Sequence, residues 1–474
     1  MTTDSRNIAT ALAIVLAASP ACARSTPPPT GSAGGGVTLA IRDVTVIPMD
    51  RERTIPRQTV LVAGERIVRV GPSSETPVPA GATIVDGTGR FLIPGLADMH
   101  IHLSPDTGAS AARNRRRLGL LVANGVTTAR SMLGHPSHFA LRDSVRARSV
   151  TGPALVLASP QVTGPNASGY FAQFSVRTAE EARQRVREHR QAGYDALKVT
   201  FGWTPETYQA VVDEARALGF PVTGHVPSGI PLEQALRAGQ QIEHLDAYLE
   251  ATVPPDAPVR TIESQGAPGP VVRHVRGDLA DRAAAATARA GIYNTPTLAL
   301  FRLAFTDSLD DAALTALPGV GYFTPAAAEG MLAQRRQFTA DGPPAAERRA
   351  LRDFRDDLVR RLVRAGAPIM VGSDAPQQML MVGFGTHREL AALVEAGLTP
   401  YQALAAATRT PAEYLGRGGR SGVVAPGAVA DLVLLDRNPL SDIRAGSAIS
   451  GVAVRGAWLD RAALDGLLAA GREP

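Results

Sequence analysis

Between residues 93 and 418, apolar strand-like runs alternate with amphipathic helical ones, and this alternation constrains the fold more than any other feature of the chain. Strands separated by helical crossovers return to the same end of a sheet and therefore pair in parallel. Candidate strands end near His102, Met132, Gln161, Thr200, His225, Tyr248, Leu298 and Asp374. Eight such strands predict an α/β architecture closed as a (β/α)8 TIM barrel. Helix starts agree with the count. "TAEE" from Thr178 reads as a capping box, and "TPET" offers Thr204 as N-cap with Pro205 at the first helical position. A helical insertion at about 300–366 separates the last two strands.

The two ends of the chain read differently. "VTLAIRDVTVIPM", "TVLVAGERIVRVG" and "ATIVDGTGRFLIPG" are short strands punctuated by Gly and Pro, and "ADLVLLD" and "ISGVAVRGAWLD" resume the pattern near the other end. The economical arrangement is a small β-sandwich formed from both ends, 37–92 and 419–474, with the barrel of 93–418 inserted between them. Ahead of it, 1–23 reads as a signal peptide and 24–36 as a flexible linker. Arg6 precedes the apolar run "IATALAIVLAA", which is too short to span a bilayer, and the Pro/Gly-rich "STPPPTGSAGGG" follows. The expectation is an exported protein, free in the periplasm or held at the membrane as a lipoprotein through a lipidated Cys22. Cys22 is the only cysteine, so the chain forms no internal disulfide.

A chain of 474 residues with 45% hydrophobic positions has enough apolar side chains for a large core. Its net charge of +5 does not mark a nucleic-acid surface, because arginines and acids are interleaved along helical stretches such as "LRDFRDDLVRRLVRAG". The expected partner is a small molecule; a homo-oligomer is compatible with the composition.

Chemistry concentrates at the strand ends, where barrel enzymes carry their sites. In "PGLADMHIHL", His100 and His102 are two apart on one strand, so both side chains project from the same face. His225 in "PVTGHVP", His244 in "QIEHLDAY" and Asp374 in "IMVGSDAP" each close or follow a predicted strand. Imidazole nitrogens suit zinc and similar divalent ions, and a carboxylate can both bind a metal and move a proton. Lys198 in "DALKVTFG" stands at another strand end and is the only lysine among 49 Lys and Arg residues. A neutral amine, unlike a guanidinium, reacts with carbon dioxide to give a carbamate, an anionic ligand with two oxygens able to bridge two metals. Arg130, at the end of the second strand, is a candidate clamp for a substrate carboxylate. His135, in the loop that follows, and Tyr170 and Tyr248 are further candidates for the substrate side.

These residues, with "PGLADMHIHL", "GVTTARSM", "ALKVT", "IEHLDAY", "NTPTL", "GSDAP" and "GLTPYQALAAATRTPAEYLG", resemble the amidohydrolase superfamily from about residue 37 to 460. More narrowly, they look like its imidazolonepropionase-related branch, which contains Xaa-Pro and Xaa-Arg dipeptidases. The resemblance implies two divalent ions, most simply zinc. His100, His102 and Asp374 would hold one, His225 and His244 the other, with Lys198 bridging them as N6-carboxylysine. It further implies hydroxide attack on an amide, with Asp374 carrying the proton. The chain departs from the pattern at Ser131, where an Asp is expected after "TTAR", and in the insertion at 300–366.

The expected function is that of a dipeptidase, a carboxypeptidase-like peptidase or an N-acyl amino acid hydrolase. A cyclic-amide or lactone hydrolase would use the same metal site. A non-catalytic, metal-bearing envelope protein that binds ligands is the alternative of another class. A deaminase fits less well, because Glu233 lies eight positions after His225 and Lys198 would have no task.

Overall fold

The computed structural model describes residues 36–257, 269–305 and 309–473. The proposed signal peptide, Cys22 and nearly all of the proposed linker lie outside the described residues. Within them, no helix is long and apolar enough to cross a membrane.

Five strands come first: β1 (Leu39–Val46), β2 (Ile55–Ala63), β3 (Arg66–Pro72), β4 (Thr83–Asp86) and β5 (Phe91–Pro94). Seven follow through the middle of the chain: β6 (Leu96–Ile101), β7 (Val126–Ser131), β8 (Ala154–Leu157), β9 (Leu197–Val199), β10 (Val222–Gly224), β11 (Ile242–Glu243) and β12 (Asn294–Thr295). Three close the chain: β13 (Leu432–Leu435), β14 (Ile449–Val454) and β15 (Ala457–Asp460).

The first and last groups join in one eight-stranded sheet, ordered β15-β14-β13-β5-β1-β2-β3 with β4 beside β1. The junction is the antiparallel pair β13–β5, in which Leu432 faces Pro94 and Leu435 faces Phe91. Alternate residues of both ends, among them Ile41, Val60, Val62, Leu432 and Leu434, bury together as a separate core.

The middle strands run parallel and short. β6, β7 and β8 form one sheet. Ala158 and Val162 bridge to Ala196 and Val199, and β9 pairs with β10. The Gln241 amide donates to Val222 O, and β11 pairs with β12. Asn294 bridges Ile369, and the last segment returns to β6 where the Met99 amide donates to Val371 O at 2.8 Å and the Asp374 amide to His100 O at 2.7 Å. These contacts link the middle strands one to the next and return the last segment to β6. Its approach at Gly372 is tight: a Cβ would lie 2.3 Å from Thr295 Cγ2 and 2.7 Å from His100 Cβ, so only glycine lets the last segment approach its neighbours.

Helices fill the crossovers as the caps predict. Thr204 accepts from the Thr207 amide in a full capping box with Pro205 at the first helical position, and Thr178 caps the helix Ala179–Ala192 through the Glu181 amide. Glu181 departs from the box by accepting from the Arg177 amide instead of its cap residue. The stretch expected as a helical insertion contains Leu298–Phe305, Asp311–Thr315, Pro325–Asp341 and Ala345–Ala365.

Two predicted strand ends fall short. β11 stops at Glu243 because His244, Leu245 and Ala247 all take positive φ, which breaks an extended ladder, so Tyr248 opens the short helix Tyr248–Ala251. β12 stops at Thr295, and Leu298 begins a helix after the positive φ of Thr297.

Candidate metal centre

His100, His244 and Asp374 come together in one place, with one ligand atom of each lying within 4.8 Å of the others. All three are buried. His102, one residue past β6, places Nε2 2.5 Å from Asp374 Oδ1, and His100 Nε2 lies 3.3 Å from the same oxygen. The ring centroids of His100 and His244 are 4.8 Å apart, and His225 stacks on His244 at 4.7 Å. Three imidazoles therefore lie within 3.7 Å of one carboxylate, and a fourth stacks on one of them.

Three of the imidazoles each engage an acceptor through Nδ1. His100 Nδ1 meets Glu243 Oε2 at 2.8 Å, His225 Nδ1 meets Asp246 Oδ2 at 2.7 Å, and His244 Nδ1 meets Thr297 Oγ1 at 2.8 Å. Such contacts fix ring orientation; that of His100 leaves its Nε2 toward Asp374, while His244 Nδ1 itself also lies 3.7 Å from Asp374 Oδ2. His100 Nε2 is buried and has no hydrogen-bond partner among the described residues. Burial pushes the His100 imidazolium down to about 4, against the opposing pull of Asp374, so the ring is neutral at pH 7 and its lone pair is available. Burial likewise holds His244 well below the ordinary histidine range. Burial works to raise Asp374, but His100 and His102 outweigh it and keep the carboxylate ionised.

Lys198, on β9, is buried, and its amine makes no hydrogen bond to a described residue. Burial lowers its pKa, opposed by Glu243 and Asp374, which favours the neutral amine that carbamate formation requires. Gly224 gives it room. Its φ is +118°, and a Cβ there would stand 3.1 Å from Lys198 Cδ and 2.2 Å from Val199 O. Buried neutral imidazoles, an ionised carboxylate, an orphaned nitrogen and a buried amine without a partner together fit a site for divalent cations.

Two substrate-side expectations are corrected. Arg130 is fully buried and its donors are committed: Nη2 to Glu243 Oε1 at 2.6 Å, Nε to Met99 O at 2.6 Å, and Nη1 to Gln241 and Tyr414. It cannot grip a substrate carboxylate without breaking the Glu243 pair. Tyr248 is also fully buried and spends its hydroxyl on Thr287 and Asn294, so it does not face a substrate carbonyl. His135 is half-buried, with Nδ1 on Ser137 Oγ at 2.7 Å. Tyr170 is 65% exposed and packs on Phe171 and Phe174; Phe171 continues through Phe201 to the His225 ring.

Sequence reasoning missed the acids that stand behind the histidines. Glu243 and Asp246 flank His244 within "IEHLDAY", and the signal was there: two acids beside a strand-end histidine, in a chain with a second histidine one strand earlier. Asp98, in "LADMH", was missed as well. Its carboxylate accepts from the His100 and Ser373 amides and from Thr386 Oγ1, pinning the segment that carries Asp374 to β6.

Residues 91–459 match the model of the amidohydrolase family. The imidazolonepropionase of Ralstonia nicotianae is 26% identical over 387 residues, covering 79% of this chain and 85% of that one. An adenine deaminase from Rubrobacter xylanophilus is 38% identical, but over 66 residues, so the chain spans 11% of its length. Among solved structures, bottromycin amidohydrolase superposes with a TM-score of 0.69 at 26% identity, covering 92% of this chain and 91% of that one. A Xaa-Pro dipeptidase with bound methionine shares the fold at 0.65 and 18% identity, covering 89% and 99%. The chain belongs to the amidohydrolase family.

Proposed function

We propose that this hydrolase of carbon–nitrogen bonds cleaves an amide at a two-metal centre on the rim of a (β/α)8 barrel, with the sheet from the two chain ends as its accessory β domain. The observation that carries the reading is the set of three imidazoles whose Nδ1 atoms are committed to Glu243, Asp246 and Thr297, grouped with Asp374 and the buried amine of Lys198. His100, His102 and Asp374 would hold one divalent ion and His225 and His244 the other, with Lys198 as carbamate between them. When bound, the metals supply Lewis acidity toward a carbonyl and a water that is acidic near neutral pH. Asp374 would carry the proton from the attacking water to the departing nitrogen, a role open to a carboxylate that stays ionised at neutral pH. Glu243, Asp246 and Thr297 hold the rings in register, and Arg130 keeps Glu243 charged within the core.

The substrate class we favour is an acyl amino acid or dipeptide, and we place the protein outside the cytoplasm on the reading of residues 1–23. Zinc-loaded protein assayed against dipeptides, N-acyl amino acids, cyclic amides and lactones tests the class. Linear amides should lead by kcat/KM. A tenfold lead for lactones or cyclic amides, about 1.4 kcal/mol, would overturn the linear-amide assignment.

A further inference from the structure

With Arg130 committed to the core, the candidate site needs another group to recognise a free carboxylate, and the helix Ala345–Ala365 of the insertion supplies one. Arg355 Nη1 donates to the backbone oxygen of His244 at 2.6 Å. Its guanidinium carbon lies 3.4 Å from the Phe301 ring centroid, and Phe301 in turn packs edge-on against the His244 ring at 6.1 Å. A guanidinium stacked by its flat face retains the N–H groups of its edge, the geometry that binds a carboxylate in two parallel hydrogen bonds.

The charge of Arg355 is not neutralised nearby. Neighbouring acids on its helix are taken: Asp353 by Arg352, Asp356 by Arg302, and Asp357 by Arg360 and Arg361. Asp246, the acid whose charge reaches Arg355, has its Oδ2 on His225 Nδ1. No described carboxylate lies within 4.0 Å of Arg355, and its donors beyond the His244 contact meet no described acceptor. A half-buried, unpaired guanidinium beside a metal-site histidine is costly to keep unless a ligand completes it.

We infer that Arg355 is the specificity residue that receives the free carboxylate of the substrate, and that the insertion at 300–366 sets this preference. The inference rests on the amide-hydrolase reading above. Anchorage to the His244 carbonyl holds the fork next to the residue that carries a ligand ring, while Phe301 fixes the plane of the fork and offers an apolar face beside it. A substrate with a carboxylate at one end of its scissile amide would then be gripped by its charge while Asp374 serves the nitrogen.

The test compares metal-loaded wild type, Arg355→Met and Arg355→Lys on N-acetyl amino acids and on the same compounds as carboxamides, with calorimetric binding of the N-acetyl amino acids and metal content measured in parallel. Wild type should prefer the free acids by at least tenfold in kcat/KM. Arg355→Met should remove most of that preference, chiefly through KM and with metal content retained, and Arg355→Lys should restore part of it. Equal losses on acid and carboxamide would show that Arg355 merely supports the His244 backbone and would overturn the assignment, while leaving amide hydrolysis intact. If no amide is turned over by protein that holds two metals, the functional reading fails first. The binding arm then decides on its own: acid affinity at least tenfold weaker in Arg355→Met sustains the carboxylate site, and unchanged affinity removes it.

Discussion

Glu243 joins Arg130 to His100: one carboxylate oxygen accepts from the guanidinium at 2.6 Å and the other meets the imidazole at 2.8 Å. Burial works to raise Glu243, but Arg130 and His100 outweigh it, so the buried carboxylate stays charged and holds His100 with Nε2 toward Asp374. Thr223 adds a third bond to the same carboxylate at 2.8 Å.

Removing Arg130 therefore strands a buried charge. Arg130→Met should lower folding stability by about 3–5 kcal/mol, the usual penalty for breaking a buried pair from one side. Activity on free acids and on carboxamides should fall in parallel, since the donors of Arg130 are committed within the core. Thermal unfolding with paired assays checks both halves. A selective loss on free acids at unchanged stability would return Arg130 to the substrate.

Glu243→Gln separates orientation from fold. The amide side chain preserves the shape but loses the charge, and loss of an outer partner of this kind costs about 10–100-fold in metal affinity or activity. Zinc titration against a competing chelator measures it directly. Unchanged affinity would mean that His100 is held by packing alone.

The lone lysine makes a sharper case. Lys198→Ala should lose most bound metal, and added short carboxylic acids should partly restore it by occupying the space of a carbamate. Lys198→Arg should fail in the same way, because a guanidinium keeps the charge but cannot take up carbon dioxide. Elemental analysis finding two metals per chain in Lys198→Ala would end the carbamate assignment.

How far the sequence went follows from what each signal encodes. Spacing by two put His100 and His102 on one face of a strand, and the βα rhythm brought His225, His244 and Asp374 to the same side, since alternation and crossover are local rules. What stayed hidden was pairing. Arg130 reads from the sequence as an available cation at a strand end, yet its partner Glu243 lies 113 positions on. The kinked backbone after Glu243 was also out of reach: His244, Leu245 and Ala247 all take positive φ, and none of those three residue types announces it. Arg355 was one arginine among many in "LRDFRDDLVRRLVRAG" until the fold showed which acids its neighbours had taken.

Asp374 tests the chemistry. Asp374→Asn retains an oxygen ligand and removes the proton carrier, so metal content should fall modestly and kcat by about a hundredfold or more. Proportionate losses of metal and rate would make Asp374 a ligand only.

Glu389 gives the fold a pH signature of its own. It is fully buried in the helix Phe384–Glu395 and accepts from the amides of Leu298 and Ala299, holding the helix that begins just past Thr297, the partner of His244. Burial pushes its carboxyl up to about 8 from an ordinary 4.5, against the two amide donors that favour the charged form. Between those values the folded chain keeps a proton that the unfolded chain has lost, so the contribution of Glu389 to stability is complete below pH 4.5 and drains away as pH rises through about 8. Glu389→Gln has no such proton to lose. Chemical denaturation of both proteins at a series of pH values from 5 to about 9 should show the stability of wild type relative to the variant falling steadily with pH. A difference that stays flat across that range would show that the two amides keep Glu389 ionised in the folded protein, with burial the weaker influence.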